Sequence, residues 1–254
     1  MEVPRNAFKR AISQGRRQIG FWLSLGSPAV AELLAGAGYD WILIDTEHAP
    51  NELPDVIEQL RALEGSSASA VVRPAWNDPV LIKRLLDAGA QSLLVPFVRN
   101  AEEAARAVAA TRYPPHGIRG VATITRASRY GRVNDYARRA QEELCVILQL
   151  ETRASLAQLE AIAAVPGVDA LFIGPSDLAA DLGHLGEPGH SVVQATIADA
   201  VSRCKGTGKP LGIFSPSEVD ARRYLDMGVT FAAVGNDAVV LRQGADARLK
   251  AFRA

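Results

Sequence analysis

Four short segments of this 254-residue chain carry side chains that could do chemistry. They are Asp45-Thr46-Glu47-His48, Arg73, Gln149-Leu150-Glu151 and Gly174-Pro175-Ser176-Asp177, and each directly follows an apolar, β-leaning run (WILI, AVV, CVIL and ALFI). Glu151 and Asp177 are hard oxygen donors. Two such carboxylates can share Mg2+ or Mn2+ while leaving positions for waters and a substrate. The alternative pairs Glu151 with Arg153 and makes Asp177 a cap for the following helix. Asp45 near His48 can hold an imidazole tautomer and raise its basicity for proton transfer near neutral pH. Taken alone, His48 reads as an ordinary polar group ahead of a helix. Arg73 ends its run before Pro74, so its guanidinium can bind a carboxylate in bidentate fashion or neutralise an enolate oxygen. Its alternative is a buried ion pair with Asp45 or Glu47. A cation and a guanidinium facing one pocket suit a small anionic oxo-acid.

The elements that must position these groups follow from a repeated helix-then-strand phrase. It reads SPAVAELLAGAGYDWILID (27–45), DPVLIKRLLDAGAQSLLVPF (78–97) and SPSEVDARRYLDMGVTFAAVG (215–235). Each opens on a Ser or Asp able to cap a helix, with proline at the first helical position. Each helix stops at a glycine (Gly38, Gly89, Gly228) suited to the left-handed C′ conformation. Eight apolar runs are candidate strands: Gly20–Ser24, Trp41–Asp45, Ala70–Arg73, Ser92–Pro96, Cys145–Leu150, Ala170–Ile173, Leu211–Phe214 and Phe231–Gly235. Most are continuously apolar, as strands covered on both faces should be. The chain therefore predicts an α/β fold, a (β/α)8 TIM barrel in one domain spanning 1–254, with reactive groups at the C-terminal strand ends. An open doubly wound sheet is the rival, but no Gly-x-Gly-x-x-Gly follows the first strand. An Arg- and Gly-rich insert between Arg112 and Cys145 breaks the rhythm, with a short helix expected near Asp135–Glu143. A last amphipathic helix is expected over Asp237–Phe252.

Composition narrows the function further. Lys plus Arg (28) balance Asp plus Glu (28), which removes the basic footprint of a nucleic-acid binder. No apolar stretch approaches a membrane span, and MEVPRNAFKR lacks the apolar core of a signal peptide, so a cytoplasmic location is expected. Cys145 and Cys204 form no CxxC pair, against both a disulfide scaffold and a zinc ribbon. Imine-forming barrel aldolases need a lysine at a strand's C-terminal end. Lys9, Lys83, Lys205, Lys209 and Lys250 fall in predicted helices or before the seventh strand, so that chemistry is not expected. No Gly-x-Ser-x-Gly, His-Glu-x-x-His or Walker A pattern is present.

Five segments, IDTEHAP (44–50), VVRP (71–74), YPPHGIRG (113–120), QLET (149–152) and FIGPSDLA (172–179), resemble the HpcH/HpaI family of metal-dependent class II pyruvate aldolases. The resemblance runs from about Gly20 to Gly235 and is nearest to members that cleave 4-hydroxy-2-oxo acids and 2-keto-3-deoxy sugar acids. It implies that Glu151 and Asp177 bind a divalent ion, Mg2+ or Mn2+, with Co2+ or Zn2+ as further candidates. It implies that Arg73 contacts pyruvate and that His48, supported by Asp45, handles protons, a role a metal-bound water could also fill. Gln149, Gly174, Pro175 and Ser176 would orient the oxo-acid, and Trp22 and Phe214 would shape the pocket. Phe214 stands where a smaller aliphatic residue also occurs in the family, which bears on aldehyde scope. Members are typically homo-hexamers, trimers of dimers with exchanged C-terminal helices, and Asp87, Arg126 and Arg129 would lie near subunit contacts. The reaction implied is reversible aldol cleavage of a 4-hydroxy-2-oxo acid. Two other readings are a C–C lyase acting on a coenzyme A ester and a non-catalytic metabolite-binding barrel.

Overall fold

The structure, a computed structural model, describes residues 1–253. Eight parallel strands close into a barrel in chain order: β1 (Gln18–Leu23), β2 (Trp41–Asp45), β3 (Ser69–Arg73), β4 (Ser92–Val95), β5 (Cys145–Leu150), β6 (Ala170–Ile173), β7 (Leu211–Phe214) and β8 (Phe231–Asn236). Before β1 comes α1 (Ala7–Ser13). Between strands lie α2 (Pro28–Ala35), α3 (Leu53–Leu63), α4 (Pro79–Asp87), α5 (Ala101–Thr111), α6 (Tyr136–Glu143), α7 (Arg153–Ala157), α8 (Leu159–Ala163), α9 (Pro175–Asp181), α10 (Ser191–Thr207) and α11 (Glu218–Met227). α12 (Asp237–Arg253) ends the described chain.

Strand side chains alternate between two faces, and that alternation builds two cores. Residues such as Ile42, Ile44, Val72, Leu93, Leu148 and Leu171 point outward and are sealed by the helices. Trp41, Leu43, Val71, Cys145, Ile147, Ala170 and Phe172 point inward and fill the barrel. Counting on by twos from the inward set reaches Asp45 and Glu47, Arg73, Gln149 and Glu151, and Gly174. One parity thus makes the packed interior below and the polar mouth above.

The lower end is closed by aromatic rings. Phe8 of α1 is fully buried and meets Trp41 at 5.6 Å and Phe231 at 5.3 Å between ring centroids. Two glycines make room: a Cβ on Gly20 would fall 2.1 Å from the Trp41 ring, and one on Gly212 2.2 Å from Phe231. α1 is the helix expected around Lys9, and its role is to floor the barrel.

Local signals act much as expected at two of the three repeated phrases. Ser27 accepts from the Val30 N–H, Asp78 accepts from the N–H groups of Val80 and Leu81, and proline begins each helix. The third phrase needs correction. Ser215 is still tied to the sheet, its N–H donating to the Ala233 carbonyl, so α11 begins two residues later with Ser217 as its cap. In the insert only α6 is helical; the rest runs in turns. α12 is anchored at its start by Asp237, whose carboxylate accepts from the N–H groups of Ser24 and Leu25. Beyond that anchor it exposes Val240, Leu241, Leu249 and Phe252. Among the described residues no helix is long and apolar enough to cross a membrane.

Candidate active site

Asp45 and Arg73 are register partners on neighbouring strands, so both rise from the barrel at the same height. They form a bidentate pair: Arg73 Nε donates to Asp45 Oδ1 at 2.8 Å and Nη2 to Oδ2 at 2.6 Å. Arg73 Nη1 lies 2.8 Å from Glu47 Oε2, and the guanidinium rests 4.8 Å above the Trp22 ring. Trp22 Nε1 donates to Asp45 Oδ2 at 3.2 Å, and Phe214 meets the Trp22 ring edge-on at 5.2 Å. Of the two aromatics expected to wall the pocket, Trp22 therefore lies against Arg73 and Phe214 packs on Trp22. The ion-pair alternative for Arg73 is realised with both carboxylates at once.

The expected support of His48 by Asp45 does not form. Asp45 spends both oxygens on Arg73, on Trp22 and on the Glu47 N–H, and it is buried. His48 sits in the loop before α3, its side chain 61% exposed, with Nε2 3.8 Å from Glu47 Oε1. Glu47 is thus a member of the mouth that residue types alone left as a mere partner for Arg73. Its inward parity, two residues beyond Asp45, was the available signal.

Glu151 is buried, with Oε1 accepting from the Phe97 N–H at 2.8 Å and Oε2 from Gln149 Nε2 at 2.5 Å. Arg153 pairs with Asp181 instead, which removes the structural alternative for Glu151. Gly174 packs against this carboxylate so closely that a Cβ would lie 2.7 Å from Oε2. Pro175 begins α9, Ser176 is exposed, and Asp177 lies in the first turn, where a helix favours negative charge; α9 has no side-chain cap bond.

The charges of the mouth act on one another. Burial raises the Glu151 carboxyl to about 7, helped by the charge of Asp177 and then of Glu47, against the Phe97 and Gln149 hydrogen bonds. Burial also raises Glu47, which Arg73 only partly offsets. For Asp45 burial pushes upward but the Arg73 contact prevails, leaving the carboxyl below its ordinary range. Arg73 is held charged, since Asp45 and Glu47 together outweigh the effect of burial.

Other groups lie apart from this set. Asp87 accepts from the buried Arg119, while Arg126 and Arg129 both pair with Glu64. Arg126, Arg129 and Glu64 line a groove of about 500 Å3 around the loops that precede β3 and β4, at the end of the barrel opposite the mouth. His184, Glu187 and His190, between α9 and α10, bring potential ligand atoms within 4.8 Å of one another. The two imidazoles stack at 3.6 Å, and His190 Nδ1 accepts from the Val192 N–H as the cap of α10.

A closed (β/α)8 barrel with buried acids and one guanidinium at its C-terminal mouth defines a barrel enzyme, since this is the face on which such barrels do their chemistry. The chain belongs to the HpcH/HpaI aldolase/citrate lyase family, whose model matches residues 18–244. It is 55% identical over 252 residues to a pyruvate aldolase of Rhizobium etli, covering 99% of each chain. It is 56% identical over 248 residues to 4-hydroxy-2-oxo-heptane-1,7-dioate aldolase of Klebsiella pneumoniae, covering 97% of this chain and 94% of that one. A crystal structure of a family protein from Burkholderia cenocepacia superposes with a TM-score of 0.95 at 41% identity, covering 98% of this chain and 100% of the other. The chain is accordingly a carbon–carbon lyase of the aldolase kind.

Proposed function

We propose that this aldolase is divalent-metal-dependent and cleaves 4-hydroxy-2-oxo acids to pyruvate, or a close 2-oxo acid, plus an aldehyde, and catalyses the reverse addition. The observation that carries the reading is Glu151. Its carboxyl is buried, feels Asp177 and Glu47, and is driven to about 7. A hard divalent cation held by Glu151 and Asp177 relieves that clustering of negative charge, and all-oxygen ligands suit Mg2+ or Mn2+ best. Held by Glu151 and Asp177, such a cation would supply Lewis-acid charge to the oxo-acid.

The chain's own groups do the rest. Asp45 takes two of the five N–H groups of Arg73 as hydrogen bonds and Glu47 pairs with the Nη1 end by charge alone, so the guanidinium keeps N–H groups with which to meet the substrate. Arg73 stabilises the negative charge that develops on the 2-oxo oxygen as the C3–C4 bond breaks, or as a methyl proton leaves in the addition direction. Asp45 is here a positioning residue for Arg73. His48 accepts the C4 hydroxyl proton during cleavage, and Glu47 Oε1 lies near enough to stabilise the imidazolium formed. Gln149 orients Glu151 and keeps a buried Oε1 without a partner, free to accept from a bound water or hydroxyl. Trp22, backed by Phe214, excludes water from one face of the Arg73 guanidinium.

The same reading places the enzyme in the cytoplasm, in keeping with two buried, unpaired thiols. It is a homo-hexamer, a trimer of dimers in which α12 is exchanged between subunits. The apolar side chains that α12 exposes support this assembly. Asp87, Arg126 and Arg129 then lie near subunit contacts.

The test is pyruvate release from a 4-hydroxy-2-oxo acid, followed by coupled NADH oxidation, before and after chelation. Activity lost to the chelator and restored by Mg2+ or Mn2+ is expected. Activity that survives stringent chelation would discard the Glu151–Asp177 site.

A further inference from the structure

Just outside the acid cluster stands an aromatic pair that the mechanism leaves unused. Trp76 follows Arg73 by three residues on the β3 side of the mouth and is 52% exposed. Its ring lies 5.2 Å from that of Phe97, inclined by 30°. Phe97 has φ +52, a left-handed conformation that is costly for a bulky residue and that surrounding structure must enforce. One enforcing contact is visible: its N–H donates to Glu151 Oε1. The strained residue is therefore tied to the acid cluster through its backbone and braces an exposed indole through its ring.

We propose that the Trp76–Phe97 pair is the surface on which the tail of the aldehyde partner lies, and that the enzyme favours aldehydes with an aromatic or apolar tail. This rests on the aldolase reading above. Pyruvate has three carbons and is held against Arg73 and Glu151, both buried. Whatever is joined to its methyl carbon must extend away from the closed floor, toward the rim where His48 and Trp76 are exposed. An indole face there stacks on an aromatic ring or covers an alkyl chain, while a short polar tail gains little from it.

The measurement compares two 4-hydroxy-2-oxo acids, one made from benzaldehyde and one from glycolaldehyde, with pyruvate methyl deuterium exchange run alongside on wild type. The ratio of kcat/KM, aromatic over short, should fall about tenfold in Trp76→Ala, as expected for loss of one aromatic contact and its buried area, with the change carried mainly by KM. Trp76→Phe should recover most of it. A ratio that stays constant in Trp76→Ala, whether both substrates decline together or neither does, would overturn the inference. Wild-type enzyme with neither cleavage nor methyl exchange would instead remove the aldolase reading, and this inference with it.

Discussion

Replacing Glu151 by Gln should move stability and activity in opposite directions. In the metal-free fold this carboxyl is raised from 4.5 to about 7, first by burial. A carboxyl with a raised folded pKa binds its proton more tightly folded than unfolded. It therefore costs nothing well below pH 4.5, destabilises as pH climbs through that value, and exacts its full cost above pH 7. At roughly 1.4 kcal/mol per pH unit, the shift corresponds to about 3 kcal/mol. An amide carries no charge to desolvate. It can accept from the Phe97 N–H and donate to Gln149 Oε1, now buried without a partner, once the Gln149 amide turns over. Allowing about 1 kcal/mol for that rearranged pair, Glu151→Gln should stabilise the chelated protein by about 2 kcal/mol near pH 8 and by close to nothing near pH 5. Urea denaturation in chelator at equal protomer concentration reads this directly. Pyruvate release should meanwhile fall roughly a hundredfold or more. A variant less stable than wild type near pH 8, or a gap equal at both pH values, would refute the account of a charge-strained site.

The remaining predictions concern its neighbours. Arg73→Ala should abolish turnover and, by leaving Asp45 buried without its counter-ion, lower stability by about 3–5 kcal/mol in urea; near-normal turnover would sink the assignment. His48→Ala should reduce kcat by about a hundredfold yet leave the urea midpoint in place, because the side chain is exposed. Gly174→Ala forces a methyl group to 2.7 Å from Glu151 Oε2 and 2.8 Å from Gln149 Nε2. Mn2+ affinity by calorimetry should drop roughly tenfold or more, and an unaltered affinity would mean that the cation binds elsewhere.

The barrel was legible because its information is local and repeated. Continuous apolar runs such as WILI and ALFI, proline-led helix starts and glycine-ended helices each act within a few residues, and all eight runs became strands. Asp45, Arg73 and Glu151 could be placed at the mouth for the same reason, as strand ends need only be counted. Which polar group touches which was a different matter. That Asp45 grips Arg73 rather than His48 depends on register between β2 and β3 and on rotamers, neither of which spacing encodes. Glu47 looked like loop until parity carried it inward. Phe97 was invisible as a partner of Glu151 because it contributes a backbone N–H, and the left-handed turn that aims it carries no glycine to announce it. The flooring role of α1 is not legible in the sequence because the work of Phe8 is done on Trp41 and Phe231, far away in the chain.

The barrel is a blind well instead of a tunnel, because inward side chains such as Leu43, Val71, Ile147 and Phe172 fill its interior. With Phe8, Trp41 and Phe231 stoppering the lower end, every molecule that goes in must come out the same way. On the proposed reading the oxo-acid lies deepest, against Arg73 and Glu151, and the aldehyde lies above it, toward His48 and Trp76. After cleavage the aldehyde would then block the path of the pyruvate beneath it, and products would depart in a fixed sequence, aldehyde first. The direction of that traffic follows from the packed interior beneath the mouth.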